Sequence, residues 1–152
     1  MTPEGQPSRP IYRLLLDGLT SLEKGTDPQL SVILFVIRLI TYSGYQPRWD
    51  QCLKCHQSRS NAGQALYFSA SSGGTICSRC AKGMDALVSI SQGTLAFLNA
   101  SQKMDYARSH RLKPSSLMRK EIEMLFRDHL TYITGTPFPK FVPQPTPPLS
   151  PA

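Results

Sequence analysis

Residues 52–56 read CLKCH, and residues 77–80 read CSRC. Taken alone, the first stretch fits three chemistries. Cys-x-x-Cys-His attaches a c-type haem, Cys-x-x-Cys makes a redox pair, and the same pair supplies half of a zinc site. The second stretch separates them. Together the cysteines form C-x2-C-x21-C-x2-C, two knuckles on either side of a 21-residue loop, close to the spacing of zinc sites. Haem attachment leaves Cys77 and Cys80 unexplained and needs export, for which the polar N-terminus MTPEGQPSRP offers no apolar signal. A thioredoxin-like pair needs a βαβ setting, and none is visible around these residues.

The zinc reading has a physical basis. Zinc accepts four thiolates in a tetrahedron, and two intervening residues let the chain turn so that both sulfurs of a knuckle face one ion. Between the knuckles, Tyr67 and Phe68 suit an outgoing strand, SASSGGT supplies a turn at Gly73-Gly74, and Ile76 belongs to the returning strand. The expected ligands are therefore Cys52, Cys55, Cys77 and Cys80, holding one structural Zn2+, with His56 beside the site and outside the ligand set. Four protein ligands close the coordination sphere, whereas a catalytic zinc keeps a position open.

Helices flank the module. Tyr12, Leu15, Leu16, Leu19 and Leu22 recur at helical spacing and make one apolar face of a helix from about Arg9 to Lys24, stopped by Gly25. Asp27 and Pro28 then mark an N-cap and first turn. The run LSVILFVIRLITYS that follows is apolar nearly all round, as a central buried helix should be, and ends at Gly44. Arg38 is its one charge, set either to pair internally or to reach a rim. Trp49 is expected to pack the module against the helices. After Cys80 a short helix begins near Ser91. A long one runs from Ser115 or Ser116 to about Thr134, stopping at Gly135, with His129 on its apolar stripe as a core residue. Glu121 and Glu123, two apart, read as surface charges and not as a catalytic pair.

Seven of the 13 prolines lie between Pro137 and Pro151, so this end is expected to be extended, docked first through Phe138 and Phe141. The chain carries a formal charge of +7 over 152 residues, which suits a polyanionic partner. Its densest basic stretch holds Lys103, Arg108, Arg111, Lys113, Arg119 and Lys120 against Asp105, with Tyr106 and His110 interleaved. These six are the candidate nucleic-acid-binding residues, because Lys and Arg neutralise phosphates and rings stack on bases. Arg48, Lys54, Arg59, Arg79 and Lys82 around the knuckles extend the candidate basic face. The longest apolar run, Val32 to Ile40, is too short to span a bilayer. No HExxH or HxE…PCxxC pattern and no nucleophile motif is present, so an enzyme is not expected.

The order of these features resembles a known family. A leucine-rich helix, YRLLLDGLTSLEKG, precedes a buried helix ending in a GY turn, FVIRLITYSGYQP, and the knuckles follow at once. LFVIRLITYSGYQPRWDQCLKC and CSRC resemble the C-terminal part of the RecO family of bacterial recombination mediators, over roughly Tyr12 to Phe141. The resemblance implies a mainly α fold, a helical domain with an inserted four-cysteine zinc ribbon on a short β-hairpin. It implies binding of single- and double-stranded DNA, strand annealing, and work with RecR and the single-stranded DNA-binding protein SSB to help RecA load in the cytoplasm, near the nucleoid. The expected organisation is a disordered segment 1–8, a helical RecO C-terminal-like domain 9–142 with its zinc module at 50–82, and a flexible Pro-rich tail 143–152. Family members carry an N-terminal OB-fold before this region, and this sequence shows none. The alternative is a zinc-ribbon scaffold that docks proteins without touching DNA.

Overall fold

The computed structural model describes residues 9–25, 27–57 and 65–140. Segments 1–8 and 143–152, Arg59 and Phe141 lie outside the described residues. Among the described residues, five helices and three strands follow in the order α1 (Arg9–Glu23), α2 (Pro28–Tyr42), β1 (Leu66–Ser69), β2 (Gly74–Cys77), β3 (Leu87–Ile90), α3 (Gln92–Lys103), α4 (Tyr106–Ser109) and α5 (Ser116–Thr134). The fold is thus a mainly helical domain with a four-cysteine ribbon. The hairpin β1–β2 forms as expected, and β3 adds to the other edge of β1 to give an antiparallel sheet in the order β2-β1-β3. Four residues, LVSI, are too few for periodicity to separate a strand from a helix segment, so β3 is found only in the structure.

Helix α2 is the centre. Asp27 caps it, its Oδ1 accepting from the backbone N–H groups of Gln29 (3.0 Å) and Leu30 (3.4 Å). Leu30, Ile33, Leu34, Ile37 and Ile40 are buried, and they join Phe68 and Val88 of the sheet, Leu95 and Leu98 of α3, and Ile122, Leu125 and Phe126 of α5 in one core. Arg38 takes the internal option: its Nη2 donates to the carbonyl of Ser101 at 2.9 Å, tying α2 to the end of α3. Gly44, at φ +83, turns the chain out of α2 in the left-handed region that a side chain disfavours.

Helix α1 packs on α2 with an unexpected face. Leu14 and Gly18 are its buried residues, and a Cβ on Gly18 would meet the Phe35 ring at 3.2 Å, so glycine permits the close approach. The apolar stripe Tyr12, Leu15, Leu16, Leu19 and Leu22 is exposed, each residue by 44–62%. Periodicity shows that a face is apolar. It does not show whether the surface that covers the face lies in the same chain.

The two glutamates also differ from expectation. Glu123 is buried, and the Glu121 carboxylate accepts from the Ser91 backbone N–H (3.1 Å), the Ser91 hydroxyl (2.8 Å) and the Thr94 hydroxyl. Glu121 therefore clamps the start of α3 to α5, where Ser91 is the N-cap.

His129 lies in the core, as its place on the stripe suggests. Its Nε2–H donates to the Tyr45 carbonyl at 2.6 Å, its ring meets Phe68 edge-on at 5.8 Å, and its Nδ1 is buried with no partner among the described residues. Burial holds its pKa below the ordinary 6.5, the Tyr45 contact opposing only in part. The native state then binds fewer protons than the unfolded chain, so stability falls as pH drops from 6.5 toward the depressed folded value. We expect the thermal midpoint to decrease across that window, and His129→Gln to remove most of this dependence. Melts of both proteins from neutral to mildly acidic pH check it.

Between α2 and the first knuckle the chain runs along β2. The Arg48 N–H donates to Gly73 O (3.0 Å), Thr75 N–H to Arg48 O (3.1 Å) and Leu53 N–H to Thr75 O (3.0 Å). At Gly74 an added Cβ would collide with the Arg48 carbonyl oxygen, which is backbone and cannot rotate away. Gly74→Ala should cost about 1–3 kcal/mol, the range for forced overpacking. A denaturant midpoint equal to wild type would contradict this.

Candidate metal centre and basic surface

The strip beside β2 builds the cysteine site. Because Arg48 and Gly74 pair in parallel, the strip and β2 reach the same end of the module together, bringing Cys52 alongside Cys77. Each knuckle then turns in the same way. The His56 N–H donates to Cys52 O at 2.8 Å, and the Ala81 N–H to Cys77 O at 2.9 Å. The first turn requires a positive φ of 59° at His56, where an L side chain is disfavoured. The His56 ring meets the Gln51 amide, Nδ1 to Nε2 at 3.2 Å.

All four sulfurs, of Cys52, Cys55, Cys77 and Cys80, lie within 4.8 Å of one another. The Cys55 and Cys77 sulfurs are 3.8 Å apart, far beyond a disulfide bond of about 2.05 Å. Two thiolates bound at about 2.3 Å to one tetrahedral ion would also stand roughly 3.8 Å apart. The site can hold a single metal ion.

The electrostatics prepare it. Burial opposes ionisation of Cys52, but the backbone N–H groups of Cys55, Cys77 and Lys54 and the Cys55 thiol outweigh it and bring the thiol down to about 6. The Cys80 backbone N–H leads in lowering Cys77. Four thiolates at this spacing repel, so the Cys77 thiol, burial, Cys52 and Cys55 together push Cys80 up to about 12. A dication among them removes that conflict, because it deprotonates a coordinating thiol outright.

The candidate basic residues have diverse surroundings. Lys103 ends α3, Arg108 lies in α4, Arg111 and Lys113 in the connection to α5, and Lys120 in the first turns of α5, all exposed. Arg108 faces Asp105 at 3.7 Å across open solvent, a weak pair. Arg119 is half-buried and engaged inside the fold: it meets Asp27 Oδ2 at 2.8 Å, Gln29 Oε1 at 3.0 Å and Pro114 O at 3.2 Å. Its guanidinium is the leading cause that holds the Asp27 carboxyl below the ordinary range. Arg119 therefore locks the start of α5 to the cap of α2. Tyr106 is buried, its hydroxyl 3.4 Å from Ser31 O and its ring edge-on to His110 at 4.7 Å, so it offers no open face for stacking. Around the knuckles Arg48, Lys54, Arg79 and Lys82 are exposed, and Arg79 reaches across to the Gln57 amide oxygen. Among the described residues no helix is long and apolar enough to cross a membrane.

A family profile described as "Recombination protein O C terminal" matches residues 1–140. The chain belongs to the RecO C-terminal family. Relatives of the same name, DNA repair protein RecO, occur in Pelotomaculum thermopropionicum and Dehalococcoides mccartyi strain BAV1. The first is 32% identical over 87% of this chain and 50% of the relative, the second 29% identical over 87% and 51%. The RecO of Caldicellulosiruptor saccharolyticus is 33% identical over 56% of this chain and 34% of its own length. The chain spans about half the length of the first two of these relatives. No solved structure matches it.

For the cysteine site of this RecO-family chain, we expect one bound metal ion per chain in native mass spectrometry. Cys77→Ser should lose it, together with a drop in thermal midpoint. Full metal occupancy in that variant would contradict ligation by all four thiolates.

Proposed function

We propose that this chain is the helical, metal-bearing part of a recombinational DNA repair protein and that it binds single-stranded DNA, and duplex DNA more weakly. Family membership supports the repair role. The observation that carries direct DNA contact is the exposed series Lys103, Arg108, Arg111, Lys113 and Lys120, opposed in that stretch by Asp105. Arg119 contributes by holding the start of α5, which carries Lys120, against the cap of α2. The bound metal is zinc. Four thiolates in a closed tetrahedron suit an ion with no geometric demand of its own, and its role is structural. In a repair complex the chain works as a binding protein beside RecR, SSB and RecA, without chemistry of its own.

The test is fluorescence anisotropy of the zinc-loaded chain on a labelled oligothymidylate across a salt series. Five phosphate contacts predict a slope of roughly −3.5 in log K against log salt, since each contributes about −0.7 on a single strand. Lys113→Ala should make the slope shallower by about 0.7. Absence of binding at low salt would overturn the DNA reading.

One observation favours a second reading, a protein-docking scaffold. The exposed stripe of α1 borders a groove of about 200 Å3, lined by Leu15, Leu19, Leu22, Val32 and Phe35. Such a groove suits an apolar-tipped acidic peptide of the kind SSB presents. Arg38, a candidate rim residue for that contact, is held by Ser101 instead. Binding of an SSB tail peptide by a chain inert toward DNA would establish this second reading.

A further inference from the structure

A second cleft, of about 380 Å3, lies between the segment that leads from α2 to the first knuckle and helix α3, within the size range of small-molecule pockets at roughly 300–1,000 Å3. Its walls are the extended segment Gln46–Asp50 and the last turns of α3, at Asn99 and Gln102. The segment alternates as a strand does: Pro47 and Trp49 are buried, while Gln46, Arg48 and Asp50 are exposed. Asn99 and Gln102, three apart, share one face of α3. None of these five polar side chains makes a hydrogen bond or ion pair with another described residue. Arg38, Arg79 and Arg119, by contrast, are each held by a partner within the fold.

The cleft offers a guanidinium, a carboxylate and three primary amides. One positive and one negative charge cancel, so the site does not select for phosphate, and Asp50 repels an acidic peptide. The arrangement suits an uncharged ligand rich in both donors and acceptors. An unstacked base in a single strand exposes both its Watson–Crick and Hoogsteen edges. Guanine carries acceptors at O6 and N7, which an arginine takes together. Beside O6 it carries donors at N1 and N2, which a carboxylate takes together. Arg48 and Asp50 stand two residues apart on one side of an extended segment, placed to meet those adjacent edges. The amides of Gln46, Asn99 and Gln102 are then left for the sugar and the backbone.

We propose that the cleft formed by Gln46, Arg48, Asp50, Asn99 and Gln102 binds one unstacked guanine of a single-stranded DNA. The proposal rests on the DNA-binding reading above and gives it a base-reading subsite separate from the lysine and arginine series. Adenine would turn its amino group toward Arg48 and leave Asp50 without its pair of donors. Cytosine and thymine would fill less of the cleft.

The experiment uses the zinc-loaded full chain and labelled oligothymidylates of one length, carrying a single central guanine, inosine, adenine or cytosine. The guanine strand should bind about five- to tenfold tighter than the plain strand, the gain expected from one good bidentate base contact. Inosine, which lacks the N2 amino group, and Asp50→Asn should each lose part of that gain, and Arg48→Ala combined with Asp50→Asn should abolish it. Equal affinity for all strands, or a preference for another base, overturns the guanine subsite while the DNA reading stands. Binding to none of the strands overturns both.

Discussion

The Arg48 carbonyl and Gly74 meet at a distance that no side chain can enter. That contact fixes the strip from Arg48 to Leu53 against β2 through three backbone hydrogen bonds, and the Thr75 hydroxyl adds a fourth to Gln51 O at 3.0 Å. Two consequences follow from one geometry. The strip's inward residue, Trp49, is pressed into the core against Phe68 at a ring separation of 5.9 Å. Its far end delivers Cys52 to Cys77. The metal site and the helical core therefore share a single piece of backbone, and the outward residues of that piece, Arg48 and Asp50, line the cleft.

A second corner is held by charge. Asp27 is at once the cap of α2 and the partner of Arg119, and Gln29 and Pro114 complete the grip on the guanidinium. This corner fixes the start of α5, the helix that carries the exposed Lys120, against the cap of α2. The pair is partly open to solvent, and its contribution is to position more than to stabilise.

Much of this arrangement was legible in the chain before any coordinates. The Asp27-Pro28 start, the Gly44 and Gly135 stops and the two Cys-x2-Cys knuckles are local signals, and local chemistry decides them. Tertiary facts were not legible. The period of α1 marks Leu15 and Leu19 as one face, but burial depends on a partner surface that spacing does not encode. Arg119 reads as one more cation in a basic stretch until the fold brings Asp27, 92 residues away in sequence, to within 2.8 Å. Glu121 reads as a surface charge until Ser91 and Thr94 arrive from α3. Tyr106 looks available for stacking because exposure, too, is a property of the assembled fold.

The central claim is that metal and helical core are one cooperative unit joined through Trp49. Trp49 is the protein's single tryptophan, so its fluorescence reports on that junction alone. The direct measurement is a chelator titration of the metal-loaded chain, following Trp49 emission and helical circular dichroism together. The account predicts a red shift of Trp49 and a lowered helical melting temperature that track metal loss in parallel. Metal release that leaves both the emission and the helical melt unchanged would contradict it.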